Sequence, residues 1–206
     1  HHNSDIAGLV RDILASEADI VTLQEVSVEN ELVLSLLQGA YPVQHLCRYS
    51  VRSGVAVLSR LNPVKGAEPI CARGLGAAGL RLALPEGAAW VLSLHLTWPW
   101  PKPQSAQQAR LTELLAGLPG PRILAGDFNM VPWSHTLRRL ARTSGTRRAG
   151  PSFPSFSLRG LPLPIDHVFA PGGGRVEPRG WLGSDHRGVL ARLSPLPSHD
   201  REGPEN

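Results

Sequence analysis

The sequence predicts an α/β fold of stacked mixed sheets flanked by helices, and three observations predict it. Several short apolar runs of strand length follow one another with no helix between them. Helix-length amphipathic segments interrupt that series elsewhere. The 206 residues carry no internal repeat and no compositional break, which fits one domain with chain enough for a sizeable core.

The elements follow in order. Ile6, Leu9, Val10, Ile13 and Leu14 have helical spacing, so residues 4–16 form an amphipathic helix that Asn3 or Ser4 can cap. Residues 19–23 are a buried strand ending in Gln24-Glu25. Residues 30–38 make a short helix stopped by Gly39 and Pro42, and 54–59 a second buried strand. Weaker strands at 68–73 and 79–84 flank a Gly-rich span that suggests a hairpin. Residues 89–96 are a strong strand with His95 near its end. Thr97-Trp98-Pro99-Trp100-Pro101-Lys102-Pro103 is a stiff loop before a helix at 104–117. A helix starts near Trp133 with Ser134 as its cap, and 143–163, rich in Gly, Pro, Ser and Arg, reads as a long surface loop. Strands follow at 165–170, 175–181 and 187–193, and the Pro- and charge-rich tail 194–206 reads as disordered.

Composition narrows the class. With 42% hydrophobic and 18% charged residues the chain is globular, and it holds no run of eighteen apolar residues and no visible signal peptide. The net charge of +4 and pI near 9.7 are compatible with a phosphate-bearing partner. The arginines at 138, 139, 142, 147 and 148 read as a solvated helix face. Cys47 and Cys71 lack metal-site spacing and read as buried thiols rather than a bridge.

Chemistry concentrates at strand ends. In Ile123-Leu124-Ala125-Gly126-Asp127-Phe128-Asn129 an apolar strand ends in a glycine that lets the chain leave at an unusual angle. Asp127 and Asn129, two apart, can face one point and suit a hard cation and a phosphate oxygen; a plain Asx turn is the alternative. Glu25, His95, Asp166, Asp185 and His186 also lie at or near strand ends. By itself Glu25 reads as a capping or ion-paired acid. Together these groups can satisfy one another, offer an imidazole beside a carboxylate, and favour Mg²⁺ or Mn²⁺ over zinc. His167 points to the opposite side of its strand from Asp166 and reads as structural. Trp98, Trp100 and Trp133 can stack on a base, wedge into lipid headgroups or pack the cleft rim.

"ADIVTLQEV" at 18–26, "SLHL" at 93–96, "AGDFN" at 125–129, "PIDHV" at 164–168 and "GSDH" at 183–186 resemble the motifs of the endonuclease/exonuclease/phosphatase superfamily, in the same order. The resemblance covers roughly residues 4–193, and the catalytic domain is expected over 1–193. It is nearest to the bacterial subgroup in which such a domain often follows membrane helices. It implies a four-layer α/β/β/α sandwich of two mixed, mostly antiparallel sheets with the site at one end. It implies that Glu25 is the main ligand of Mg²⁺ or Mn²⁺, with Asp127 and Asp185 as further or supporting ligands. Asp127 would orient or activate water, Asn129 would hold the phosphate, and His186 would be a general base or transition-state donor whose tautomer Asp166 fixes. His95 would donate to a phosphoryl or leaving-group oxygen; Trp98, Trp100 and Arg159 would bind substrate.

Two departures stand beside the resemblance. Family members begin with a strand ending in an asparagine that helps bind metal and phosphate. This chain starts at about the following helix, so an open ladder or exposed edge is expected, with Asn3 a stand-in only if the first residues fold back. In the deoxyribonuclease branch a glutamate pairs with the histidine matching His95, and the corresponding position here falls on Arg52. The function expected is a divalent-metal phosphoester hydrolase acting on nucleic acid or on a lipid-linked or small phosphate. A truncated, poorly active phosphate-binding module is the rival.

Overall fold

A computed structural model describes residues 3–50, 52–100 and 104–194. The chain runs α1 (Ile6–Ser16), β1 (Ile20–Leu23), α2 (Leu32–Leu37), β2 (Val43–Ser50), β3 (Ser53–Ser59), β4 (Ile70–Ala72), β5 (Ala77–Leu84), β6 (Gly87–His95) and α3 (Gln104–Ala116). It continues with β7 (Arg122–Asp127), α4 (His135–Ser144), β8 (Arg147–Arg148), β9 (Phe156–Leu158), β10 (Leu161–Leu163), β11 (Asp166–Ala170), β12 (Gly174–Pro178) and β13 (Val189–Leu193). The residues His1, His2 and Pro101-Lys102-Pro103, and the expected disordered tail from 195 on, lie outside the described residues.

Strand alternation builds the expected four layers. A three-stranded sheet ordered β1-β3-β2 faces a six-stranded sheet ordered β4-β5-β6-β7-β11-β8. In β3, Ala56 and Leu58 pack outward on α1 and α2 with Ile13, Val33 and Leu37. The residues that alternate with them, Val55 and Val57, pack inward on Ala78, Leu80, Leu82 and Val91 of the larger sheet. That sheet's other face, with Leu92, Leu94, Leu124 and Phe169, receives Leu111 and Leu115 of α3 and Leu137 and Leu140 of α4. The hairpin β12-β13 covers Ala125 and Val168 through Val176, Val189 and Ala191. Period-two alternation thus feeds two cores from one strand.

An open edge is present, as expected. Among the described residues β1 pairs with β3 alone and β13 with β12 alone. A cavity of about 770 Å³ lies along both strands, lined by Ile6, Leu9, Ile13, Val91, Ile123 and Val189.

Four readings need correction. Cys47 and Cys71 form a disulfide joining β2 to β4, because the packed sheets bring their Cα atoms to 5.0 Å; sequence spacing carries no trace of that approach. β2 was not expected, since Gln44, His45 and Arg48 break up its apolar pattern. The stretch 143–163 is not one loop: it holds β8 and the hairpin β9-β10, whose turn uses Arg159 and Gly160 at positive φ. Asp5, not Asn3 or Ser4, caps α1, its Oδ1 accepting from Gly8 N at 2.8 Å. Ser134 caps α4 as expected. Arg138, Arg139 and Arg142 are exposed on α4. Among the described residues no helix is long and apolar enough to cross a membrane.

Candidate active site

Strand register assembles the first half of the site. His95 ends β6, Asp127 ends β7 and Asp166 opens β11, and the pairing sets His95 opposite Asp127 and Asp127 opposite Asp166. All three have the parity of the inward-facing residues, so their side chains emerge toward the smaller sheet. There Glu25 follows β1, and its Oε1 comes within 3.9 Å of His95 Nε2. Asp127 Oδ2 lies 3.6 Å from the same nitrogen.

The backbone is bent to make this possible. Gly126 has φ +136°, and a Cβ there would stand 2.1 Å from Leu94 O and 2.9 Å from Gln24 Nε2. Only glycine fits so close beside β6. Glu25 and Asn129 both take positive φ, at 55° and 51°, a conformation costly for such residues and concentrated at functional sites. Gln24 supports the bend by donating to Ser93 Oγ at 3.0 Å, while Ser93 donates to Leu23 O at 3.1 Å. This polar tie across the sheets holds Glu25 over Asp127.

Asn129 is fixed from two sides. Its N–H donates to Asp127 Oδ1 at 2.7 Å, and its Nδ2 donates to Leu96 O at 2.7 Å. Among the described residues its Oδ1 is buried with no hydrogen-bond partner. With Nδ2 engaged by Leu96 O, the group the amide has left over is an acceptor, which a cation or a water O–H can satisfy.

His186 completes the cluster. Its Nδ1 lies 2.8 Å from Asp166 Oδ2, so Nε2 is left for the site. Phe156 lies against the imidazole with ring centroids 4.7 Å apart, and a backbone bridge ties the two residues. Ser155, next to Phe156, accepts from Arg187 N through its carbonyl and from Asp166 N through its hydroxyl, so one short segment braces both members of the pair. Burial pulls the His186 pKa down, but the Asp166 hydrogen bond and the charges of Asp166, Asp127 and Asp185 outweigh it and raise it to about 9. Burial, then the charge of Asp166, pushes Asp127 up to about 8. Burial lowers His95 despite the opposing charge of Glu25.

Asp185 is exposed beside His186 and contributes to this field. Trp98 packs on Phe156 at 6.0 Å and so forms the rim next to His186. Trp100 is 83% exposed and Trp133 67% exposed. Arg159 sits at the exposed tip of the β9-β10 hairpin, not among the site groups. His167 faces the helix side, bonded through Nε2 to Met130 O at 2.7 Å, and burial drops its pKa to about 4. Arg52 is not the partner of His95; that place belongs to Tyr49, whose hydroxyl lies 2.7 Å from His95 Nδ1. Tyr49, Phe156, Ser155 and Gln24 were missed by sequence reasoning. Only Gln24 carried a signal, as a polar residue closing a buried strand.

The donor set fits a hard divalent cation. Glu25 and Asp127 both approach His95 Nε2, a buried amide oxygen of Asn129 two residues on lacks a partner among the described residues, and burial with the charge of Asp166 keeps a proton on Asp127. Among the described residues no three His, Cys, Asp or Glu side chains stand close enough to hold a metal by themselves. A cation held here would have one or two carboxylates, with water and substrate oxygens completing its shell.

Comparison with known proteins agrees. The chain folds like an endonuclease/exonuclease/phosphatase family protein from Leptotrichia buccalis C-1013-b, with TM-score 0.71, 15% identity and 92% of each chain covered. It is also similar to the 3'-5' exonuclease NExo from Neisseria meningitidis, with TM-score 0.66, 17% identity, 92% of this chain and 96% of that one. An AP endonuclease from Archaeoglobus fulgidus gives TM-score 0.67, 15% identity, 92% and 94%. No curated protein matches the chain in sequence. The Endonuclease/Exonuclease/phosphatase family profile matches residues 1–186, and with the ordered motifs and the four-layer fold this means that the chain belongs to that family.

Proposed function

We propose that the chain is a divalent-cation-dependent phosphoester hydrolase that uses in-line attack by water. The observation that carries this reading is the single row His95–Asp127–Asp166 across three strands, with His186 held on Asp166 and Glu25 facing the row. Glu25 and Asp127 would hold Mg²⁺ or Mn²⁺, with Asp185 in support. The cation would supply charge neutralisation on the phosphoryl oxygens.

The side chains divide the remaining work. Asp127, once ionised, orients the attacking water and accepts its proton. Asn129 Oδ1 takes a hydrogen bond from that water. His186, kept protonated by Asp166, donates from Nε2 to a phosphoryl oxygen as charge accumulates there. His95 donates to the leaving-group side. Trp98, packed on Phe156, and Trp100 two residues on would offer an aromatic face to a base or an acyl chain.

Nucleic acid and lipid-linked phosphate are both substrates of suitable chemistry. Several structural neighbours are nucleases or phosphatases, including the 3' phosphatase NExo from Neisseria bound to a product DNA hairpin. A second reading rests on the open edges of β1 and β13 beside Glu25: a phosphate-binding module of the same fold with slow turnover. Plasmid, single-stranded DNA, RNA and a lipid pyrophosphate are assayed with Mg²⁺, with Mn²⁺ and with chelator. Cation-dependent hydrolysis of one substrate is expected. Binding of phosphate ligands without hydrolysis of any substrate would overturn the hydrolase reading in favour of the module.

A further inference from the structure

We infer that Tyr49 is a positioning residue that fixes the ring proton of His95 on Nε2, so that His95 faces the site as a hydrogen-bond donor. The inference deepens the hydrolase reading and rests on it for its kinetic consequence. It begins from a chain of polar contacts that leads into the site from the outer strand β2. Ser53 Oγ and Tyr49 Oη are 2.7 Å apart, and Tyr49 Oη and His95 Nδ1 are 2.7 Å apart.

The phenol has one proton, so two arrangements exist. In one, His95 carries its proton on Nδ1 and donates to Tyr49, which donates onward to Ser53. Nε2 would then point a bare lone pair at Glu25 Oε1 and Asp127 Oδ2, 3.9 and 3.6 Å away. That lone pair would face the Glu25 carboxylate, and Asp127, at 3.6 Å, stands too far away to satisfy it with its own proton. In the other, Ser53 donates to Tyr49, Tyr49 donates to Nδ1, and Nε2–H faces the acceptor oxygens. Ser53, Tyr49 and Nδ1 are then paired donor to acceptor, and the free Nε2–H dipole points toward the Glu25 carboxylate.

The second arrangement is the one the site can use. At 3.6 Å and beyond, the Nε2 approaches are charge–dipole contacts rather than hydrogen bonds, so the N–H remains available to an oxygen brought between them. A phosphoryl or leaving-group oxygen is such an atom. The T-shaped ring contact between Tyr49 and His95, at 6.3 Å, holds the imidazole plane as well. A phenol that donates to Nδ1 leaves the ring proton on Nε2, the opposite tautomer from the one a carboxylate accepting from Nδ1 would select.

The test reads the tautomer directly. Protein labelled with ¹⁵N-histidine, with no metal added, is examined by long-range ¹H–¹⁵N correlation near pH 7.5. The wild type is expected to show His95 protonated on Nε2 and bare on Nδ1. Tyr49→Phe keeps the ring and is expected to give a mixture of tautomers. Ser53→Ala removes a neighbour in the same cluster but leaves the phenol proton, and is expected to keep the Nε2–H pattern. On a substrate that the wild type hydrolyses, Tyr49→Phe is expected to lower kcat by about 10- to 100-fold with KM within about threefold. An Nδ1–H or doubly protonated wild-type ring overturns the inference, as does a Tyr49→Phe protein with wild-type tautomer and kcat. A wild type that hydrolyses nothing yet shows Nε2–H overturns the hydrolase reading instead, and leaves the tautomer assignment supported.

Discussion

Asp127 shows most plainly how function opposes stability at one residue. The residue is 6% exposed, and its pKa rises from 3.8 to about 8 because burial and the Asp166 charge penalise the ionised form. The unfolded chain releases this proton near 3.8 and the folded chain only near 8, so ionisation favours unfolding as pH climbs between those values. Asp127→Asn keeps the acceptor for Asn129 N and removes the penalty. It is expected to raise the stability of the chelated protein at pH 8 by about 1–3 kcal/mol in a denaturant titration, while abolishing hydrolysis.

His186 runs in the same direction. Its folded pKa, near 9, exceeds the ordinary 6.5, so its stabilisation is complete below about 6.5 and is lost as pH rises to 9. The melting temperature of chelated protein is therefore expected to fall from pH 6.5 to 9. Asp166→Asn, which removes the charge holding the proton, should flatten that fall above pH 8. Residues of this kind were legible where the sequence marks them twice, by chemistry and by position at a strand end: Asp127, Asp166 and His186 are examples. Tyr49 and Phe156 were not. A tyrosine or phenylalanine within a strand reads as packing, and its contact with a histidine depends on register between segments far apart in the chain.

At the scale of elements, the β7 terminus depends on one glycine. Gly126→Ala would press a Cβ against Leu94 O in a φ region closed to alanine. A loss of about 2–4 kcal/mol is expected in denaturant titration, together with displacement of Asp127 and loss of activity. The disulfide is the second element-level device. Cys47–Cys71 joins the two sheets across 24 residues of chain. Closing a loop of that size contributes about 3 kcal/mol, and bridges of this kind persist in oxidising compartments. Cys47→Ser with Cys71→Ser, or reductant alone, is expected to lower the melting temperature by several degrees; an unchanged value would mean the bridge does not form in solution.

Helices and buried strands were read within a few residues, because apolar periodicity and caps are local signals. The elements that were missed depend on partners. β2 has a mixed polar surface and exists because β3 pairs along it from Val43 to Ser50. β9 and β10 lie in a Pro-, Gly- and Ser-rich stretch, and each is a three-residue strand paired with the other. No pattern in so short a segment distinguishes it from loop. Yet Phe156 in that hairpin is what packs on His186, so the unreadable element carries part of the site.

The molecule as a whole brings strand ends from two sheets to one place. Leu23-Gln24-Glu25 arrives from the smaller sheet, and His95, Asp127 and Asp166 from the larger. The inter-sheet core of Val55, Val57, Leu80, Leu82 and Val91 holds those ends at a fixed separation. Small shifts between packed layers are therefore felt directly at Glu25. This layered order was readable from the succession of motifs. The cavity along β1 and β13 was expected only as an open edge, and its size became apparent only with the packing of α1 and the β12-β13 hairpin around it.

The central claim is that Glu25 and His186, separated by most of the chain, act on one phosphoester. The most direct measurement is cation-dependent hydrolysis of the best substrate by wild type, Glu25→Ala and His186→Ala, side by side, with melting temperatures recorded for each. Each variant is expected to remain folded and to lose about a thousandfold or more in kcat/KM. Two folded variants that both retain activity within tenfold of the wild type would contradict it.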